Sequence, residues 1–154
     1  MTERSAIHDT FTLTRRLPAS PARVWDAYAD PAKKKAWFTS APGGVTAHYS
    51  LEFREGGSES WRGTFGDSPV IELDARYIDV VPETRIIISY AMKIGGNRIS
   101  VSTQTTEMRP DGDGTLLTLT EYGAYLDGFD DPGLRVSGTE DLLRRLEEFV
   151  AKRN

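Results

Sequence analysis

No cysteine occurs among the 154 residues, which removes disulfides, thiolate nucleophiles, thiolate zinc sites and cysteine-held iron–sulfur clusters together. Histidine is nearly as scarce: His8 falls in a terminal segment and His48 on the outer side of a predicted strand, so neither a histidine metal centre nor a serine–histidine triad has a supporting constellation. No apolar run approaches the ~20 residues of a membrane span. The N-terminus, M-T-E-R-S-A-I-H-D-T, lacks the apolar core of a signal peptide, and a cytoplasmic location is expected. A formal net charge of -4 argues against a nucleic-acid or anionic-membrane surface, since both need clustered positive charge. The one basic run, Lys33-Lys34-Lys35, reads at helical spacing as a solvated face. Nucleotide-binding patterns G-x-x-x-x-G-K-[ST] and strand-linked G-x-G-x-x-G are absent. Asp127, Asp130 and Asp131 lack the spacing of a calcium loop, and helix capping accounts for Asp131. No cofactor or metal is implied.

What is present is a composition of 38% hydrophobic and 27% charged residues, ordinary for one globular domain, here taken over 1–154 with a core at about 10–152. Phe11, Leu13 and Arg15 alternate with Thr12, Thr14 and Arg16, the pattern of a strand closed by Pro18. Ser20-Pro21 then opens a helix whose inner face is Val24, Trp25 and Tyr28, and Pro31 ends it. A second short helix from Pro31 carries Trp37-Phe38 inward. Period two returns at Thr46, with Ala47, Tyr49, Leu51 and Phe53 on one face, and continues through Glu59–Phe65, Val70–Val81, Arg85–Met92, Arg98–Met108 and Thr115–Tyr122. Glycine, proline and aspartate turns separate these runs, so seven antiparallel strands are expected. Asp131-Pro132 starts a long terminal helix with Leu134, Leu142, Leu146, Phe149 and Val150 on its apolar stripe. Glu140 with Arg144 and Asp141 with Arg145 stand four apart on it, in the acid-first order that favours pairing.

The segment A-S-P-A-R-V-W-D-A-Y-A-D-P with W-F beyond it resembles the START-like, helix-grip superfamily, in particular the branch named after the activator of Hsp90 ATPase. R-E-G-G at 54–57, Y-I-D-V-V-P-E-T-R-I at 77–86, G-D-G-T-L-L-T-L-T-E-Y-G at 112–123 and L-D-G-F-D-D-P-G-L-R-V-S-G-T-E-D-L-L at 126–143 look like later landmarks in the same order. The resemblance implies an α+β fold: a curved antiparallel sheet gripping the terminal helix, two short helices after the first strand, and a cavity between sheet and helix. It does not imply one chemistry, because such scaffolds host carriers, cyclases, hydrolases and partner-binding modules.

Candidate site residues follow from which side chains face that cavity. Thr115, Leu117, Leu119 and Glu121 share a face, and the leucines mark it as inner. Glu121 then points a carboxylate into an apolar interior, where it is either a general acid or base or the partner of an arginine. Around Arg98–Met108 neither face is plainly apolar; the register from Met108, with the family's pattern, favours Arg98, Ser100, Ser102, Gln104 and Thr106 inward, a polar row able to orient a ligand or to satisfy itself. Trp37, Phe38, Phe53, Trp61, Phe65, Tyr77, Tyr90 and either Tyr122 or Tyr125 are candidate wall residues, with Met92 and Leu142 beside them. Gly63, between Trp61 and Phe65, leaves room on their face. Gly138, inside the terminal helix, marks either close approach to the sheet or space for a ligand.

Three functions compete. A carrier or sensor of a small hydrophobic, aromatic molecule needs only the cavity. A cofactor-independent cyclase, dehydratase or hydrolase needs Glu121 with a tyrosine or Arg98 assisting. A chaperone-interaction module ranks last, because the chain lacks the additional N-terminal domain of the eukaryotic co-chaperone. A homodimer is compatible with the exposed hairpin edges and helix face.

Overall fold

The computed structural model describes residues 3–152; residues 1, 2, 153 and 154 of the domain expected over the whole chain lie outside the described residues. Strand β1 (Ala6–Leu17) leads into helices α1 (Pro21–Ala29) and α2 (Pro31–Phe38). Strands β2 (Gly44–Leu51), β3 (Ser58–Phe65), β4 (Ile71–Val81), β5 (Arg85–Ile94), β6 (Asn97–Asp111) and β7 (Gly114–Leu126) follow as successive hairpins, and α3 (Pro132–Ala151) ends the chain. The seven strands form one antiparallel sheet in the order β1-β7-β6-β5-β4-β3-β2. The α1–α2 connection therefore carries the chain from one edge of the sheet to the other. Among the described residues no helix is long and apolar enough to cross a membrane.

Local chemistry explains the boundaries. The Ser20 hydroxyl accepts from the Arg23 amide at 3.3 Å and Pro21 takes the first helical position of α1. Asp30 then ends α1 and starts α2: its carboxylate accepts from the amides of Ala32 and Lys33 at 2.9 and 3.1 Å. Asp131 caps α3 through the Gly133 amide at 2.8 Å. Between β5 and β6, Gly95 and Gly96 take φ of 58° and 83°, the paired left-handed conformations of a two-residue hairpin turn that glycine adopts without steric cost.

Three bulges bend the sheet and reset parity where they occur. Ala47 is the extra residue between the pairs Thr46↔Gly63 and His48↔Arg62, so Thr46 rather than Ala47 shares the inner side with Tyr49 and Leu51. Ile78 is extra between β4 and β5, and Ile99 between β5 and β6, where Met92 pairs with Ser100 but Lys93 with Arg98.

The concave face holds two zones. At one, Leu17, Val24, Tyr28, Trp37, Ile86, Met108, Leu117 and Leu119 pack with Leu143, Leu146 and Val150 of α3 into the core. Trp37 locks the helical pair by donating from Nε1 to the Ala27 carbonyl at 2.9 Å and meeting the Tyr28 ring edge-on at 5.1 Å. Arg23 ties α1 to the end of α3 by donating to the carbonyls of Val150 and Lys152 at 2.8 and 3.0 Å. In the other zone the first half of α3 spans the sheet without filling the space beneath it.

The α3 stripe differs from its expected form. Thr139, Leu143, Leu146 and Val150 are its buried residues, whereas Leu134 is 68% exposed. The expected acid-first pairs are replaced: Arg144 binds Asp141 at 2.6 Å and Glu148 at 3.7 Å, and Arg145 turns inward.

Candidate functional site: a cavity under the terminal helix

The unfilled zone is a cavity of about 290 Å³, at the lower end of the size range of small-molecule pockets. Its walls are mostly apolar: Trp37 and Phe38 from α2, Trp61 and Phe65 from β3, Ile71 and Leu73 from β4, Ile88, Met92 and Ile94 from β5, Leu119 from β7 and Leu142 from α3. Phe65, 41% exposed, and Leu134 give the lining two exposed apolar residues. Trp61 is held by a hydrogen bond from Nε1 to Thr46 Oγ1 at 3.0 Å, and its ring lies over Gly63, where a Cβ would fall 2.5 Å from it. The room left by that glycine is therefore occupied by Trp61 itself.

Gly138 resolves differently. A Cβ built there meets nothing within 4 Å, so Gly138, an exposed residue on the border of the cavity, is not required by close packing. Gly138, Leu142 and Arg145 stand at i, i+4 and i+7, one stripe of α3 that looks into the cavity, beside the stripe that enters the core.

Two buried ionic clusters reach the cavity, from strands separated by three others. On β3, Glu59 is 2% exposed and bonds Lys34 Nζ at 3.0 Å, Tyr49 Oη at 2.6 Å and Tyr77 Oη at 3.0 Å. Lys34, 4% exposed, also lies 5.4, 5.5 and 4.6 Å from the ring centres of Tyr28, Trp37 and Phe38. Burial and the Glu59 charge together push the phenols of Tyr28, Tyr49 and Tyr77 far above the usual tyrosine range. The middle residue of the lysine run is thus a core cation rather than part of a solvated face. Lys34 takes the inward position between the exposed Lys33 and Lys35, where Glu59 receives it.

On β7, Glu121 is 0% exposed, and it does not line the cavity. Tyr90 Oη stands 2.8 and 2.9 Å from its two oxygens, Gln104 Nε2 donates at 2.9 Å, and Arg135 Nη1 approaches to 3.5 Å. Arg135 also bonds Asp130 at 2.7 Å, Ser100 at 2.8 Å and Tyr90 Oη at 3.0 Å, and lies 5.4 Å from the centre of the Tyr125 ring. Burial and the adjacent Glu121 charge hold the Tyr90 phenol above its ordinary range.

Of the other predicted site residues, Ser100, Ser102 and Thr106 are buried, and the two serines face Arg135 rather than the cavity. Arg98 corrects the sequence reading: the bulge at Ile99 turns it outward, where it lies exposed beside Asn97 and Phe129. Phe53 and Tyr77 do not line the cavity. They pack on one another at 5.1 Å, with Trp25 against Phe53. Tyr125 faces in and Tyr122 out, and neither lines the cavity.

Sequence reasoning missed Arg135 and Arg145. Arg145 lines the cavity with Nε and Nη1 sealed from solvent and, among the described residues, no acceptor for either. Desolvation lowers its pKa, opposed by the charge of Asp141, whose carboxylate is engaged by Arg144. The i+7 spacing from Gly138 was the available signal; the acid four residues earlier pointed the other way. Among the described residues no group of three His, Asp or Glu side chains could hold a metal ion.

Residues 18–151 match the family model of the activator of Hsp90 ATPase homolog 1-like protein. The chain belongs to this family. Solved structures share its fold. A protein of Rhizobium leguminosarum is 40% identical over 99% of this chain and 100% of its own, with a TM-score of 0.94. Mll3558 of Rhizobium loti is 45% identical over 94% of this chain and 99% of its own, with a TM-score of 0.87. The AHSA1-like protein of Aeromonas hydrophila shares the fold at 17% identity, with a TM-score of 0.71 over 93% of this chain and 92% of its own. No curated protein matches the sequence.

Proposed function

We propose that the protein binds a small, largely apolar molecule with a planar or aromatic body in the cavity between the sheet and α3, as a carrier or sensor. The observation that carries this reading is the cavity itself, about 290 Å³ of space walled by Trp37, Phe38, Trp61, Ile88, Met92 and Leu142 and left open by a glycine in the middle of the covering helix. An apolar wall of this extent favours an apolar occupant, because covering it removes hydrocarbon surface from water. The enclosing aromatic edges and faces suit a flat ligand.

The arrangement of Glu121 favours binding over catalysis. A general acid or base must come within hydrogen-bond reach of the reacting atom. Glu121 is fully buried, contacted by Tyr90, Gln104 and Arg135, and separate from the cavity lining. Its role in this reading is to hold Arg135 and Tyr90 in place. Titration with the neutral fluorophore N-phenylnaphthylamine tests the proposal. Saturable fluorescence enhancement is expected, with a rise in Tm corresponding to about 2.7 kcal/mol at a hundredfold excess over Kd. A flat titration, with no thermal shift across a panel of planar apolar compounds, would count decisively against it.

A further inference from the structure

Resting on that reading, we infer that the natural ligand is an organic acid, an apolar body bearing one carboxylate-like anionic group, and that Arg145 is the residue that receives this group. Four charged residues line the cavity: Lys34, Glu59, Arg135 and Arg145. Lys34 and Glu59 neutralise one another at 3.0 Å, and Arg135 is held between Asp130 at 2.7 Å and Glu121 at 3.5 Å. Arg145 is the exception. Two of its guanidinium nitrogens are sealed from solvent with no acceptor among the described residues, and the nearby Asp141 is bound to Arg144 at 2.6 Å.

A cation with two of its nitrogens sealed from water and no bonded acceptor is unfavourable, and proteins resolve such cases by pairing or by replacing the charge. Arg145 borders the cavity with Gly138 and Leu142 on the same stripe of α3, and the charged groups nearest in effect are Asp141 and Arg144, which bind one another. The planar guanidinium fork matches a carboxylate in a two-bond geometry, and the open volume beside it leaves room to turn toward an incoming head group. In a low-dielectric cavity such a contact distinguishes an acid from its neutral analogue strongly, because the neutral analogue leaves the cation unpaired.

Two probes of nearly the same body separate this inference from the binding reading: anilinonaphthalene sulfonate, which is anionic, and N-phenylnaphthylamine, which is neutral. Wild-type protein is expected to bind both. Arg145→Gln should weaken the sulfonate by about ten- to a hundredfold, the range for a hydrogen bond to a charged group, and leave the neutral probe within about twofold. Arg145→Lys, which keeps the charge without the fork, should fall between. Arg145→Gln should also unfold at the same temperature or higher, since it removes an unpaired cation; if it fails to fold, the Arg145→Lys comparison decides alone. Equal losses for both probes, or a sulfonate affinity indifferent to Arg145, would overturn the assignment. If the wild type binds the neutral probe but not the sulfonate, the acid inference falls while the cavity-binding reading stands. If it binds neither, both fall.

Discussion

Gly138 allows stability and ligand binding to be moved in opposite directions. It lies in the interior of α3, where glycine costs about 1 kcal/mol relative to alanine. Its Cβ position is empty to 4 Å, so Gly138→Ala meets no clash and should recover that amount. For a domain of this size the gain corresponds to roughly 2–4 °C in Tm. Gly138→Leu goes further: its side chain occupies space at the cavity border, and partial apolar burial adds less than the ~1.5–3 kcal/mol of a fully buried leucine. Filling the same space removes the ligand's place, so N-phenylnaphthylamine binding should fall at least tenfold in the leucine variant and change little in the alanine one. Calorimetric unfolding and fluorescence titration on the three proteins read both effects. A lower Tm for Gly138→Ala would mean that α3 packs against the sheet at this point. Unchanged probe affinity in Gly138→Leu would place the binding site elsewhere.

Lys34→Met should cost about 3–5 kcal/mol by chemical denaturation, because it strands the Glu59 carboxylate in the core, and adding Glu59→Gln should recover much of the loss. An additive double variant would show that the pair is not coupled. Gly63→Ala should destabilise by about 1–3 kcal/mol and shift tryptophan emission, since its Cβ drives into the Trp61 ring; wild-type emission with wild-type stability would contradict the geometry. Alkaline pH should unfold the protein. Tyr28, Tyr77 and Tyr90 have folded-state pKa values raised above the ordinary tyrosine value of about 10, so their stabilising contribution is complete below that pH. Above it the unfolded chain ionises while the folded one does not, and stability falls by about 1.4 kcal/mol per pH unit for each phenol. Phenolate absorbance should therefore appear together with loss of structure, and ionisation of these three near pH 10 in a still-folded protein would refute the burial argument.

The elements themselves were legible, for physical reasons. Capping serines and aspartates followed by proline mark all three helix starts, and period-two alternation marks the strands, because both signals are local. Bulges are not local in this sense. Nothing in R-I-S-V-S announces that Ile99 is the extra residue, and one unseen insertion reverses the side on which Arg98 projects. Charged residues were misplaced for a related reason: their burial depends on a partner elsewhere in the chain. Lys34 looked solvated until Glu59, 25 residues later, came to meet it, and Arg145 looked paired because Asp141 stands at the right helical spacing. The leucine neighbours of Glu121 point to an inner side, and the residue is buried, but the donors around it come from β5, β6 and α3, which no single stretch of sequence displays.

The division of α3 into two neighbouring stripes has an evolutionary consequence. Leu143, Leu146 and Val150 are committed to the core, so changes there act on folding. Leu134, Gly138, Thr139, Leu142 and Arg145 border the cavity, so changes there reshape its wall. Selection acting on one helix can thus alter the shape of the cavity while leaving untouched the part that makes it a protein.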